Sequence, residues 1–444
     1  MAPQTPPSLL LPVSFCKAVA ENKLCWDLLK PKIEAGFVDL PRWTASYGPM
    51  QGQPMLTEPL ARFLSAELMG GKVVVPAGEL VCGTGVSSIL SSLFFSICEE
   101  SDTVLIPSPY YSAFDNDLRA FGNVKRHAVA LNAANGFVLT PALLEEAYAS
   151  VLAATGKAPK ALLLTNPHNP LGRIAPPAEL EAVVAWCGAK PGLHLVADEI
   201  YALSVHGPYH RAAAATAVTT ALATVGAEAF TSVGVVCKGA LGPRIHVLWG
   251  MSKDWGVSGL RFGLCWTSNP KLYEAMSSAA IFTCLPGPVQ AMLGAMFSDA
   301  AWCSMYVAEN ARRLAGSYDL LTGRLDALGL PYLPAPAGMF LWMDFRRLLP
   351  FVALPDGDGA SGTSGASGKS GKSGASDDED GWRREAAVYD GLVAAGVVLT
   401  PGSSQHHGEP GWFRTCFAFV GPTGLAAALD RIEAFAAKLG YKGP

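Results

Sequence analysis

The sequence has few charged residues, and their signs nearly cancel. Charged side chains make up 16% of the 444 residues, and the formal net charge at pH 7 is −4. Proteins that bind nucleic acid through its phosphates carry a basic patch or a high isoelectric point, so we predict no nucleic-acid partner. Half of the residues are hydrophobic, which allows a large core, and the length permits two domains.

Paired cysteines and long apolar runs are also missing. The ten cysteines are spread singly, without a C-x-x-C pair, which is typical of reduced core thiols and argues against disulfides or a zinc site. The longest uncharged stretch, 275–298, is broken by Pro286-Gly287-Pro288, and residues 1–15 lack the basic start of a signal peptide. We therefore expect a soluble, cytoplasmic protein with no metal and no membrane span.

Short apolar runs alternate with helical stretches between about residues 80 and 270. This alternation predicts a mostly parallel sheet covered on both faces, an α/β fold. In such folds ligands bind at the edge where the strands end. The predicted strands are 80–82, 103–106, 161–164, 194–197 and 246–250.

Residues suited to holding an anion follow the first predicted strand. Thr84, Gly85 and Val86 lie in a glycine-rich turn that leads into a helix. The unpaired amides and the dipole of a helix N-terminus favour a phosphate group. No nucleotide-binding fingerprint is present, so the turn alone is a weak signal.

Later strands end in residues that each permit two interpretations. Asp198 closes the fourth strand, where a buried carboxylate needs a cation, either a protonated pyridine nitrogen or an arginine. Tyr111, held by prolines, either stacks on a flat ring or packs in the core, and Tyr47 by itself is a loop aromatic. Arg414, between bulky apolar residues, binds a carboxylate of the protein or of a ligand.

The segment that begins at Ser252-Lys253 combines an amine with groups that bind phosphate. Burial or nearby positive charge can keep an attacking amine deprotonated. A hydroxyl, free backbone amides and the Arg261 guanidinium suit a phosphate. The combination suits a lysine bound as a Schiff base to pyridoxal phosphate, whereas the alternative is a solvated lysine in a surface turn.

The second half of the chain changes character. Long helices, including 302–328, precede a strand at 338–343. Residues 355–381 are rich in glycine and serine and are predicted to be a disordered insertion without catalytic residues. A helix at 382–395 and a strand at 397–399 follow.

Six motifs, taken together and in order, resemble those of one family. The chain resembles the class I aminotransferases among the fold-type I pyridoxal-phosphate enzymes, and within them the 1-aminocyclopropane-1-carboxylate (ACC) synthase-like branch. The resemblance covers nearly the whole chain from about residue 19. The motifs are Ala20-Glu21-Asn22-Lys23-Leu24-Cys25, Pro107-Ser108-Pro109-Tyr110-Tyr111, Asn166-Pro167-His168-Asn169-Pro170-Leu171-Gly172, Asp198-Glu199-Ile200-Tyr201, Ser252-Lys253-Asp254 and Glu409-Pro410-Gly411-Trp412-Phe413-Arg414.

The resemblance implies a role for each matching residue. Lys253 binds the cofactor and moves the substrate α-proton, Asp198 holds the pyridine nitrogen protonated, and Tyr201 acts with Asn169 on the ring oxygen. Tyr111 stacks on the ring, and Arg414 binds the substrate carboxylate beside Glu21 and Asn169. Tyr47 reaches the phosphate of a neighbouring subunit, which implies a homodimer. The implied phosphate cradle is Thr84, Gly85, Val86, Ser252 and Arg261.

The resemblance also implies an architecture. The expected fold is that of aspartate aminotransferase, a large domain with a mostly parallel sheet and a small α+β domain. We predict an N-terminal arm with part of the small domain at 1–46, a large cofactor-binding domain at 47–285, and a small domain at 286–444.

The chain departs from ACC synthases at several positions. Residues 8–13 replace the usual segment ahead of the first motif, which leaves the wall of the substrate mouth undefined. Met50 stands where ACC synthases have tyrosine, two residues before Gly52, and Tyr47 lies five before it, as in ordinary aminotransferases. Ser258 replaces a proline that plant synthases usually carry. Two insertions, 208–227 and 355–381, are additional.

These residues support a pyridoxal 5'-phosphate enzyme that acts on an α-amino acid. One reaction transfers the amino group to a 2-oxo acid, and the other forms ACC from S-adenosylmethionine. Both use the same lysine, aspartate and arginine. We favour amino transfer because it requires only a proton shuttle by Lys253, whereas cyclisation requires a precisely placed sulfonium. A third alternative is a non-enzymatic protein that keeps the cofactor pocket.

Overall fold

A seven-stranded sheet forms the centre of the larger part of the molecule. The computed structural model describes residues 20–207, 229–354 and 377–443. The strand order is β1-β7-β6-β5-β4-β2-β3, and only β7 is antiparallel to its neighbours. The prediction of a mostly parallel sheet in an α/β fold is therefore confirmed. The strands are β1 Leu80–Gly83, β2 Thr103–Ser108, β3 Lys125–Ala130, β4 Ala161–Thr165, β5 His194–Asp198, β6 Ile245–Gly250 and β7 Gly263–Thr267.

The inner strands form because their apolar runs can be buried on both faces. Every residue of β1, β2, β4 and β7 is buried, whereas the edge strand β3 is largely exposed. Continuous apolar runs of this kind are typical of parallel sheets covered on both sides. Since β1, β2, β4, β5 and β6 run in the same direction, the segments that follow them meet at one edge of the sheet.

Helices precede, connect and follow the strands. The helices are α1 Trp26–Gly36, α2 Pro54–Phe63, α3 Val86–Ile97, α4 Phe114–Gly122, α5 Pro141–Thr155, α6 Pro177–Ala189, α7 Val233–Val236, α8 Met251–Asp254, α9 Pro270–Ala279, α10 Gly287–Ser298, α11 Ala300–Leu328, α12 Asp377–Ala394 and α13 Pro422–Lys438. Along the described residues, no helix is long and apolar enough to cross a membrane.

A second, antiparallel sheet lies in the C-terminal part of the chain. Its order is β10-β11-β9-β8, with β8 Tyr332–Leu333, β9 Phe340–Asp344, β10 Thr400–Pro401 and β11 Trp412–Cys416. Arg414 is the central residue of β11 and pairs with Trp342 on one side and Thr400 on the other. The predicted domain boundaries at 46/47 and 285/286 stay predictions.

Two boundaries in this region differ from the sequence prediction. Helix α12 begins at Asp377, so the last residues of the predicted insertion 355–381 are helical. Acidic residues such as Glu379 and Asp380 suit the first turn of a helix because the helix dipole favours negative charge there. The strand predicted at 397–399 is a short strand at Thr400–Pro401. The N-terminal residues 1–19, which include the altered segment 8–13, the insertion 208–227 and residues 355–376 lie outside the described residues.

An aromatic cluster supports the segment that carries Lys253. The ring of Trp255 stacks on Tyr306 with centroids 4.4 Å apart, and Phe63 lies 5.7 Å from both Trp249 and Trp255. Trp249 and Trp255 are fully buried on either side of the single-turn helix α8. Large aromatic side chains bury much surface in a defined geometry, so this cluster holds α8 rigidly at the end of β6.

A buried pair of histidines predicts loss of stability in acid. The rings of His194 and His246 stack, with His194 Nδ1 3.0 Å from His246 Nε2. Burial lowers the pKa of His194 to about 4 and that of His246 to about 3. Both lie below the ordinary value near 6.5, so their stabilising contribution is complete above pH 6.5 and is lost as the pH falls through 4.

Replacing one of these histidines is expected to make the free energy of unfolding less dependent on pH in acid. Between pH 7.5 and 5 the free energy of unfolding of His246→Gln should fall by about 2 kcal/mol less than that of the wild type, because one titrating group is gone. Thermal or urea unfolding at the two pH values measures this difference. His127→Gln, on the exposed strand β3, is the control. If the free energies of unfolding of wild type and His246→Gln changed equally with pH, the lowered pKa of His246 would be contradicted.

Candidate active site

One cleft at the carboxyl edge of the large sheet collects most of the predicted site residues. Its empty space is about 650 Å³ when the part open to solvent is included. The segments after β1, β2, β4, β5 and β6 all contribute to its wall, as the strand directions require. The predicted residues that line it are Val86, Tyr111, Asn169, Asp198, Tyr201, Ser252, Lys253 and Arg261.

Lys253 projects into this cleft from helix α8. Its Nζ donates a hydrogen bond to the Ala20 carbonyl oxygen at 2.7 Å. Burial lowers the pKa of this amine, and the positive charge of Arg414 lowers it further. Both effects favour the neutral amine, the form that can attack a carbonyl or accept a proton.

Asp198 places a buried carboxylate on the same cleft without an arginine beside it. Its Oδ1 accepts a hydrogen bond from the Ile200 amide at 3.3 Å, and burial raises its pKa to about 7. Within the described parts of the chain, no lysine, arginine or histidine nitrogen forms an ion pair with it. Of the two sequence interpretations, an arginine partner therefore finds no support, and the cleft is open to a cation from a ligand.

Asn169 connects the residue predicted to bind carboxylate with the residue predicted to bind the cofactor. Its Oδ1 accepts a hydrogen bond from Arg414 Nη1 at 3.0 Å, and its Nδ2 donates one to the Tyr201 hydroxyl at 3.4 Å. The ring of Phe340 lies beneath both partners, with its centroid 5.8 Å from the Arg414 guanidinium and 5.1 Å from the Tyr201 ring. Arg414 is buried and donates from Nη2 to Thr400 Oγ1 at 3.2 Å, so its orientation is fixed.

Residues that were predicted to bind phosphate lie close together at the cleft. Arg261 Nη2 donates to the Thr84 carbonyl oxygen at 3.2 Å, which places the exposed guanidinium next to the start of helix α3. Gly85 has φ +93°, and a Cβ there would lie only 2.5 Å from Arg261 Nη2. The positive φ favours glycine at this position, and helix α3, whose N-terminal amides suit an anion, begins at the next residue, Val86.

Three other predicted residues have distinct positions. Tyr111 is partly exposed and lines the cleft, where its ring contacts the edge of Phe114 with centroids 5.5 Å apart. Glu21 lies at the margin, where its carboxylate accepts a hydrogen bond from Ser258 Oγ at 3.2 Å and lies 3.6 Å from Lys23 Nζ. Tyr47 is 97% exposed and lines a different cavity, so a single chain does not bring it to Lys253.

The cleft also contains residues that the sequence analysis did not identify. Phe114 and Asp117 line it from helix α4, and Ser87 lines it from α3. Burial raises the pKa of Asp117 to about 6, while a hydrogen bond from Ser87 opposes this shift. Residues three apart lie on one face of a helix, so the spacing of Phe114 and Asp117 just after Tyr111 was the available signal.

The residues present fit pyridoxal 5'-phosphate. Asp198 offers a buried negative charge to a pyridinium nitrogen, and Asn169 with Tyr201 offers donors to a ring oxygen. The close approach at Gly85 and the exposed Arg261 guanidinium leave donors for a phosphate. Among the described residues, no group of three or more histidine, cysteine, aspartate or glutamate side chains could hold a metal ion.

Comparison with known proteins gives the family. The model of the family "Aminotransferase class I and II" matches residues 20–432. The 1-aminocyclopropane-1-carboxylate synthase 4 of Oryza sativa subsp. japonica is 34% identical over 433 residues, which cover 94% of this chain and 81% of that protein. Synthase 1 of Oryza sativa subsp. indica is 32% identical over 433 residues, covering 94% of this chain and 80% of that protein.

Solved structures agree on the fold. A Thermus thermophilus aspartate aminotransferase mutant superposes with a TM-score of 0.69 at 22% identity, covering 95% of this chain and 96% of that chain. The aromatic aminotransferase of Pyrococcus horikoshii gives a TM-score of 0.70 at 18% identity, covering 96% of this chain and 95% of that chain. The chain therefore belongs to the class I and II aminotransferase family, the fold-type I enzymes that depend on pyridoxal phosphate, as either an aminotransferase or an ACC synthase-like enzyme.

Proposed function

We propose that this chain is an aminotransferase that moves the amino group of an α-amino acid to a 2-oxo acid, as a cytoplasmic homodimer. The observation that carries the proposal is the position of Lys253. Its amine lies in a cleft with Asp198, where burial and the charge of Arg414, which contacts the cleft residue Asn169, lower its pKa. A lowered pKa favours the neutral amine, which can both bind the cofactor and act as a proton carrier.

Each residue at the site has a separate role in the proposed reaction. Arg414 binds the substrate α-carboxylate through its guanidinium, which Asn169 and Thr400 hold in place. Lys253 takes the α-proton and returns it to a neighbouring carbon. Asp198 keeps its negative charge against the ring nitrogen, because a cation offsets the burial of the carboxylate. When bound, pyridoxal phosphate supplies the electron sink that makes the α-proton acidic.

The contacts of Glu21 favour amino transfer over ACC formation. Formation of ACC requires a sulfonium cation to be held in a defined direction, and a carboxylate at the mouth is a natural partner for it. Glu21 is already engaged by Ser258 and Lys23. Met50 lies by the separate cavity that contains Tyr47, so it contributes nothing to the cleft of its own chain. Amino transfer needs no further group at these positions.

A pair of assays tests the reaction. The purified enzyme is incubated with S-adenosylmethionine, and ACC and methylthioadenosine are measured. In parallel, amino acids are supplied with 2-oxoglutarate or pyruvate, and new amino acid is measured. Amino transfer without ACC is the expected result. Rapid ACC formation without amino transfer would overturn the proposal.

ACC synthesis is the second candidate, and one specific finding favours it. The two rice relatives named above carry the name ACC synthase and match 94% of this chain. If the assay pair yields ACC, Glu21→Gln becomes the informative variant. It should then raise the KM for S-adenosylmethionine more than it lowers kcat, because a carboxylate at the mouth would bind the sulfonium.

The exposure of Tyr47 supports a homodimer and a prediction. A tyrosine that is 97% exposed and distant from its own cleft can serve the phosphate of a second copy. Removing its hydroxyl in Tyr47→Phe should weaken cofactor retention by about ten- to a hundredfold, the value of one hydrogen bond to a charged group. Dialysis against buffer, followed by measurement of residual bound cofactor, gives this ratio. Full activity of a monomer at micromolar concentration would contradict the proposal.

A further inference from the structure

Two buried asparagines fasten the arm segment, residues 20–25, to the core of the protein. Asn22 Nδ2 donates a hydrogen bond to Asn310 Oδ1 at 2.6 Å, and Asn310 Nδ2 donates one to the Asp254 carbonyl oxygen at 3.2 Å. Asn22 is 4% exposed and Asn310 is 1% exposed. The Leu24 amide donates to Asn22 Oδ1 at 3.1 Å, so both ends of each side-chain amide are used.

These contacts connect the Lys253 amine with the residue that follows it in the sequence, Asp254. Asp254 follows Lys253 directly in helix α8, and the Ala20 carbonyl oxygen at the start of the arm segment accepts from Lys253 Nζ. A side chain at Gly256 would collide with the carbonyl of Asn22, which shows how closely the arm approaches the loop after α8. Lys253 is therefore held at two points, its amine through Ala20 and the adjacent backbone through Asp254. We call this set of contacts, from Ala20 through Asn22 and Asn310 to Asp254, the circuit.

The two contacts of Asn310 in this circuit are shorter than those that neighbouring groups make with the same atoms. The Cys25 thiol also donates to Asn310 Oδ1, at 3.6 Å, and the Tyr306 hydroxyl reaches the Asp254 carbonyl oxygen at 3.5 Å. Asn310 projects from the long helix α11, so it links the arm to the body of the protein as well as to α8. When one partner of a buried amide is removed, the other loses its hydrogen bond and its solvation, which costs about 1–3 kcal/mol.

We propose that Asn310 is a positioning residue for the reaction, which acts through Asn22 to hold the Ala20 carbonyl against the Lys253 amine and to exclude water from it. The inference rests on the assignment of Lys253 as the cofactor lysine under the proposed function. Neither asparagine lines the cleft, and neither belongs to the residues assigned to cofactor or substrate. The two asparagines therefore act on the Lys253 amine indirectly, by fixing the position of the arm segment.

The consequence is a change in the proton affinity of the lysine nitrogen. When the arm separates from α8, water reaches this nitrogen and stabilises its charged, protonated form. The midpoint pH of the visible band of the lysine-bound cofactor should then rise by roughly one pH unit. The kcat should fall by about tenfold, because the proton carrier is misplaced, whereas KM changes little, since Arg414 lies in β11 and keeps its own partners.

The test uses the cofactor-loaded enzyme in four forms: wild type, Asn22→Ala, Asn310→Ala and the double variant. The absorption band is titrated with pH in each. Because Asn22 is linked to the Asp254 carbonyl through Asn310, both single variants should shift the midpoint, and the double variant should shift it no further than Asn310→Ala alone. Ser317→Ala, a buried position on the same helix outside the circuit, is the control and should leave the midpoint unchanged.

A second readout needs no cofactor. In the cofactor-free proteins, amide hydrogen exchange in residues 20–25 should be faster in both single variants than in the wild type and in Ser317→Ala. Unchanged midpoints, or shifts that add in the double variant, would overturn the inference. If Asn310→Ala does not fold, Asn22→Ala still decides the question. A wild-type enzyme without a pH-dependent band would instead refute the assignment of Lys253, and so the proposed function itself.

Discussion

Lys253→Ala is expected to abolish the visible absorption band of the enzyme and to lower kcat by about four orders of magnitude. The variant removes both the nitrogen that binds the cofactor and the carrier of the α-proton, and general acid–base catalysis alone contributes up to about 10⁴-fold. The rest of the cleft remains, including Asp198 and Arg261. Cofactor should therefore still bind, but reversibly and without the band.

Absorption spectroscopy and single-turnover kinetics measure this outcome. Lys271→Ala is a suitable control because Lys271 is exposed on helix α9. It should keep both the band and the turnover number. A protein that is colourless as wild type and ignores added pyridoxal phosphate, or a Lys253→Ala variant that keeps its band, would contradict the role assigned to this lysine.

Asp198→Asn should lower kcat/KM by roughly 10²–10³-fold while making the cofactor-free protein more stable at pH 8. The loss of activity follows because an amide provides no negative charge to hold the ring nitrogen protonated. The gain in stability follows from burial, which raises the pKa of Asp198 to about 7. Since this lies above the ordinary value of an aspartate, the favourable contribution of the protonated form is complete at low pH and is lost as the pH rises through 7.

The two effects have opposite signs, which separates them from simple misfolding. Thermal unfolding of the cofactor-free proteins at pH 8 should show a higher midpoint for Asp198→Asn than for wild type, and the difference should disappear near pH 4. Asp390→Asn, at an exposed position on helix α12, is the control. A variant that is less stable at pH 8 would show that Asp198 has a cationic partner in the protein.

Local sequence was sufficient to predict five of the seven strands of the large sheet and the residues that follow them, whereas β3 and β7 were not predicted. Continuous apolar runs such as β4 must be buried on both faces, and the polar residues that end them must then lie at one edge. This reasoning placed Asp198 and Lys253 on one cleft, and the structure brings them together there. Sequence patterns were weaker where segments are short, and the strand near residue 400 was predicted three residues too early.

The partners of these residues were decided only by the tertiary structure. The spacing of Asp198 from the arginines could not exclude an arginine partner, because ion pairs form between residues that are distant in the chain. Likewise, nothing near Asn310 in the sequence indicates Asn22, which lies 288 residues away and donates to it at 2.6 Å. For the five predicted strands, the sequence alone indicated that they are buried and which polar residues lie at their ends, because periodicity and burial act locally. Packing alone determined which of those residues touch, because distance, desolvation and hydrogen-bond direction exist only in the folded chain.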